Sequence, residues 1–217
     1  KLPMPKIGPK MLMAATVTLA LLAVVTAGLL TRKQSTKQFV PQLTTAATTA
    51  GISDSFTGGT INSATWTIVG TGVSQVGGEL VVASVNSGLR TVATITGDFV
   101  ADVDTSQGAL LFTNAGSTYA QVTRNGTSII SNIGGTSNTY TAPSASVVIP
   151  IRIMKVGSNI QTFYQTSGTW NLLGSASTTY TGIGNLELMS TTATANFDNF
   201  NAQVNLVGAT TPTPGTT

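Results

Sequence analysis

Val147-Val148-Ile149-Pro150-Ile151-Arg152-Ile153-Met154-Lys155-Val156 is the stretch on which the fold turns. Val147, Ile149, Ile151 and Ile153 alternate with Val148, Pro150, Arg152 and Met154, a period of two that puts the first set on one face of a strand and the second on the other. The first face reads as core and the second as partly exposed. Pro150 brings no N–H to a ladder, which points to an edge strand or a bulge. Gly157-Ser158 then supplies a tight turn, and Asn159 to Gln165 runs back as the second arm of a hairpin.

The same unit recurs along the chain. Further β-branched runs are Glu79 to Val85, Leu89 to Ile95, Asp98 to Thr105, Ala109 to Thr113, Thr118 to Arg124, Ser128 to Ile133, Trp170 to Gly174, Leu186 to Ser190 and Ala195 to Val204. Gly77-Gly78, Asn125-Gly126, Gly134-Gly135 and Ser167-Gly168 provide turns between them. No helical period appears in this region. So many short antiparallel strands predict an all-β, two-sheet sandwich or jelly roll.

Ahead of the strands, Met11 to Leu30 is twenty residues without a charge, a side-chain amide or a proline, flanked by Lys1, Lys6 and Lys10 before it and Arg32, Lys33 and Lys37 after it. As a helix it would reach roughly 30 Å, the thickness of a bilayer's hydrocarbon core. A secretory signal has a shorter apolar region, so the reading is an uncleaved transmembrane anchor. The organisation expected is an anchor with basic flanks over 1–38 (span 11–30), a linker over 39–51, a β-sandwich over 52–207 and a Thr/Pro-rich tail over 208–217. The flanking cations tie at three against three, and the Thr, Ser, Gly and Asn rich domain places itself on the extracytoplasmic side, at the cell surface.

Six of the ten basic residues lie in the first 37 positions, so from Phe39 onward Arg90, Arg124, Arg152 and Lys155 face all seven acids. The overall charge of +3 therefore belongs to the N-terminal flanks. Without clustered Lys and Arg on the folded part, nucleic acid is excluded as a partner, while the flanks suit anionic lipid. There is no cysteine and no histidine. That removes thiolate nucleophiles, disulfides, Cys or His zinc sites and Ser-His-Asp catalysis.

Asp54-Ser55-Phe56, then Asn62, Trp66 and Gly77-Gly78-Glu79-Leu80-Val81-Val82, together with Ser167-Gly168-Thr169-Trp170 and Asn196-Phe197-Asp198-Asn199-Phe200, resemble the opening and closing strands of concanavalin A-like, laminin G-like jelly rolls. The resemblance covers Ile52 to Val207 and implies that fold, with Trp66 and Trp170 in the core. Members of that family often hold a calcium ion between the first and last strands, for which Asp54 and Asp198 are the matching acids, while Asp198 equally suits a turn cap or backbone amides in the closing strand. No other cofactor is called for. Glucanases of this fold carry a Glu-x-Asp-x-Glu strand, which this chain lacks; Asp102 and Asp104 share one strand face and read as solvated, and Glu187 stands alone. No enzymatic activity is expected.

Sugar recognition pairs an aromatic ring with amide or guanidinium donors. The available set is Tyr119, Gln121, Arg152, Tyr164 and Gln165. Asn125-Gly126-Thr127 fits an N-glycosylation sequon, and its Asn-Gly pair reads first as a hairpin turn. The function expected is a membrane-anchored structural protein whose weakly charged sandwich packs against copies of itself or other envelope proteins, with a surface glycan-binding or adhesion protein as the alternative.

Overall fold

A computed structural model of the chain describes residues 50–177, 183–192 and 194–204. The expected span at 11–30, most of the linker and the tail at 208–217 lie outside the described residues. Among those described, no helix is long and apolar enough to cross a membrane.

The described residues form fourteen strands: β1 (Ala50–Asp54), β2 (Trp66–Val69), β3 (Val73–Val76), β4 (Glu79–Val82), β5 (Gly88–Thr91), β6 (Phe99–Asn114), β7 (Ser117–Asn125), β8 (Ser128–Ile133), β9 (Thr136–Thr141), β10 (Ile149–Val156), β11 (Asn159–Thr166), β12 (Thr169–Ser177), β13 (Asn185–Met189) and β14 (Ala195–Val204). Every pairing between them is antiparallel. The first sheet runs β12-β11-β10-β6-β14-β4-β3, with β1 on the other half of β14. The second runs β9-β8-β7-β6-β13-β5-β2. The described chain is thus an all-β antiparallel sandwich.

β6 belongs to both sheets. Residues 99–105 pair β10 and β14, while residues 108–114 pair β7 and β13. The sequence splits this strand at Ser106-Gln107-Gly108, which has turn chemistry; instead the chain bends from one sheet into the other. The Thr105 hydroxyl lies 2.8 Å from the Gln107 carbonyl and 2.7 Å from that of Asn196, and accepts the Gln107 N–H at 3.1 Å, so the polar backbone at the bend is satisfied. Folding the strand over itself packs Phe99 against Phe112, with ring centroids 4.7 Å apart and the ring planes tilted by 53°.

Ile149, Ile151 and Ile153 lie in the interior as the alternation predicts, but Val147 precedes the strand and is 45% exposed. Pro150 marks neither an edge nor a bulge. β10 is central, between β11 and β6, and Pro150 is its second residue. A second aromatic group, Trp66 against Phe200 at 5.0 Å and Phe56 at 6.1 Å, fills the other end of the core. The two sheets also touch through Tyr140 stacked on Tyr164 at 4.0 Å, and through the buried hydroxyls of Ser131 and Thr162, 2.7 Å apart.

The predicted turns at Gly77-Gly78, Gly134-Gly135, Gly157-Ser158 and Ser167-Gly168 all close two-residue hairpins. The Asn125 turn is shifted by one residue. Asn125 pairs Ser128 as the last residue of β7, and Gly126 (φ 57°) and Thr127 form the loop. β9, Thr-Ser-Asn-Thr-Tyr-Thr, escapes the sequence pattern because an almost wholly exposed edge strand needs no apolar face.

Candidate functional site

The outer face of the first sheet, turned away from the core, carries the densest set of recognition groups. Register places Ser53 opposite Asn201, Asn201 opposite Asp102, Asp102 opposite Arg152 and Arg152 opposite Phe163. Directly opposed residues share a face. These five therefore form one row across β1, β14, β6, β10 and β11, on the order of 20 Å at the usual strand spacing. Gln165 and Trp170, opposite each other across the Ser167-Gly168 turn, stand beside the β11 end of the row.

Trp170 is the aromatic element of the site. Its ring packs on a small apolar cluster of Val100, Met154, Val156 and Phe163, separate from the main core. The Arg152 guanidinium lies over the ring, 3.9 Å from the centroid, and its Nε and Nη2 each approach Asp102 Oδ1 at 3.3 Å. Burial pushes the Asp102 carboxyl above the usual aspartate range; the Arg152 charge and hydrogen bond pull it back, and Asp104 adds to the rise. Ring, guanidinium and carboxylate thus hold one another in a fixed, part-buried arrangement. Such a surface presents a half-buried indole beside a guanidinium and a carboxylate of fixed direction, which suits a polyhydroxylated ligand.

At the β1 end, Ser53, Ser55, Asn199, Phe200 and Asn201 line an open hollow of ≈ 420 Å³ with Asp54. Asn199 donates from Nδ2 to Asp104 Oδ2 at 3.0 Å, tying the hollow's rim to the strand that carries Asp102.

The five residues singled out for sugar recognition fall in three places. Arg152 and Gln165 belong to the outer face just described. Tyr164 is on the other side of β11, stacked on Tyr140; burial and the neighbouring Tyr140 raise its hydroxyl above the ordinary tyrosine range. Tyr119 and Gln121 are on β7 in the second sheet, where Tyr119 packs toward Phe112 at 6.2 Å. Trp66 is core, 2% exposed, but Trp170 is not. The Ser167-Gly168 turn is visible in the sequence, and its two-residue length is the signal for Trp170, since it fixes Trp170 opposite Gln165 and hence on the face of Arg152.

Asp54 and Asp198 line separate hollows, Asp198 sharing a smaller one with Glu79 and Asp104. Among the described residues no group of three or more acids is placed to hold a metal ion. Asp54 uses both carboxylate oxygens within the fold, accepting Phe56 N–H at 2.8 Å and Trp66 Nε1–H at 2.8 Å. Asp54→Ala leaves the indole of a core tryptophan without its acceptor and is expected to cost about 2–3 kcal/mol, read by urea unfolding in EDTA.

No family model and no curated protein sequence matches the chain. Solved structures do. A xyloglucan-locus GH43B protein of Bacteroides ovatus aligns at 16% identity and a TM-score of 0.54, over 70% of this chain and 39% of that one. A xylan β-1,4-xylosidase of Bacillus halodurans aligns at 13% and 0.53, over 70% and 38%. The β-glucanase of Bacillus licheniformis aligns at 12% and 0.50, over 72% and 98%. The chain spans about two fifths of the length of the first two structures. At such identities the likeness establishes the fold. The expectation of no enzymatic activity is corrected to this extent: the fold is one that solved glycoside hydrolases share. The absence of Cys and His never bore on carboxylate chemistry, and Asp102 is not the solvated side chain expected: it is part-buried beside Arg152.

Proposed function

We propose that the sandwich binds carbohydrate on the outer face of its first sheet, with Trp170, Arg152 and Gln165 at one end of the site and Asn201 at the other. The observation that carries this reading is the Arg152 guanidinium held 3.9 Å over the Trp170 ring and fixed by Asp102. Aromatic and arginine side chains held rigidly are the usual centres of binding energy. The fold adds support, since the solved structures that share it include proteins named for xyloglucan, xylan and β-glucan. The face carries Asp102, Asp104 and Asp198 against Arg152, so neutral glycans are favoured over acidic ones.

An array of neutral and acidic oligosaccharides, followed by calorimetry on the best binder, tests the reading. Trp170→Ala is expected to weaken binding by about 2 kcal/mol, close to thirtyfold in Kd. Gln121→Ala, on the second sheet, is expected to leave Kd unchanged. A folded protein that binds none of the glycans, or one whose binding survives Trp170→Ala and Arg152→Ala, would end this assignment.

A further inference from the structure

The Asn125-Gly126 pair, the chain's single Asn-Gly, is not used by the glycan-binding face. Asn-Gly is the most reactive dipeptide toward intramolecular imide formation, because glycine leaves its own nitrogen unhindered. The Gly126 nitrogen attacks the Asn125 side-chain carbon; a C–N bond forms, the C–NH₂ bond breaks, and ammonia leaves carrying the proton lost from the glycine nitrogen. Water then opens the cyclic imide to aspartate or isoaspartate. Nothing but water is consumed.

Steric shielding does not protect this pair. Asn125 is exposed, and a Cβ added at Gly126 would meet nothing within 4 Å. Both reacting groups are instead engaged by one side chain, Gln107, at the bend where β6 passes between the sheets. Gly126 N–H donates to Gln107 Oε1 at 3.0 Å. Gln107 Nε2 lies 3.4 Å from Asn125 Oδ1 and 3.3 Å from Thr192 Oγ1. The nucleophile's proton is therefore committed to one end of the glutamine amide, and the carbonyl that must rotate toward the nitrogen is tethered to the other.

We propose that Asn125 is a covalent modification site, a deamidation site restrained by Gln107. Deamidation follows release of the Gln107 clamp, and the isoaspartyl product inserts a backbone carbon next to the β7–β8 turn.

The test ages the full-length folded protein at pH 8 and 37 °C and maps peptides by mass spectrometry after digestion at acidic pH. Gln107→Ala is expected to speed mass gain at Asn125 by about three- to tenfold, the rate equivalent of one lost hydrogen bond. Gln107→Glu keeps an acceptor for Gly126 N–H but loses the Nε2 tether on Asn125 Oδ1, and its rate is expected to fall between wild type and Gln107→Ala. The Asn86-Ser87 pair serves as internal reference and should not change. Where Gln107→Ala melts early, Thr192→Val, which removes only the anchor of the Gln107 amide, replaces it with the same direction of change. Equal rates in folded wild-type and Gln107→Ala protein would overturn the proposal, as would a wild-type rate matching that of the urea-unfolded chain.

Discussion

Gly88→Ala is expected to destabilise the domain by about 3–5 kcal/mol, at the top of the range for a single substitution. Gly88 opens β5 and lies between Val69 of β2 and Met189 of β13. A Cβ built there overlaps the Leu188 carbonyl oxygen and comes within 2.9 Å of its carbonyl carbon and 2.8 Å of Met189 Sδ. The obstruction is backbone, so no rotamer change relieves it. β13 would have to move away from β5, and Leu188 and Leu89, both fully buried on those strands, would lose their fit. Gly51→Ala is the control: a Cβ at Gly51 finds only the Ala202 carbonyl at 3.8 Å, an ordinary contact. Thermal melts should separate the two clearly, with a fall of roughly 10 °C for Gly88→Ala and little change for Gly51→Ala. Near-equal melting temperatures would mean that β13 shifts at small cost and that the sheet is less tightly specified than its contacts indicate.

The sequence was most informative where burial and geometry act locally. Ile149, Ile151 and Ile153 alternate because one face of β10 is core, and that period is visible without any partner strand. Ser167-Gly168 is legible as a turn because both residues adopt positive φ, which few side chains tolerate. β6 was not legible as one strand. Ser106-Gln107-Gly108 has the composition of a loop, and only the Thr105 hydroxyl, held by Asn196 from the far end of the chain, makes it a bend between sheets. The site was half legible for a related reason. Arg152 and Gln165 could be picked by chemistry and alternation, but their convergence with Asp102 and Asn201 depends on the order of strands, which is a long-range property. Tyr119 and Gln121 have the same chemistry and fall on the other sheet.

Arg124→Met is expected to stabilise the protein, by about 1–3 kcal/mol. Arg124 is fully buried on β7, facing the interior between Val122 and the bend of β6. Its Nη2 donates to the Ser144 carbonyl at 2.6 Å, while Nε and Nη1 have no partner. None of the ion pairs among the described residues includes it. Burial alone lowers its pKa from the ordinary arginine value. A base whose folded pKa is depressed costs stability wherever it is charged in both states, and the cost is relieved only as pH rises through the folded pKa. For arginine that window lies far above neutral, so substitution reads the cost and a pH titration does not. Methionine retains an unbranched stem of similar length and removes the unpaired donors. Ser144 is only part-buried, so its carbonyl can turn to water when the guanidinium is gone. Arg124→Ala, which deletes the stem as well, should melt below Arg124→Met because it leaves a cavity. Urea unfolding of the three proteins gives the order Met above wild type, with Ala below Met. A methionine variant less stable than wild type would show that the guanidinium is compensated in solution by ordered water on Nε and Nη1, and the interior of the sandwich would then have to be regarded as wet at this position.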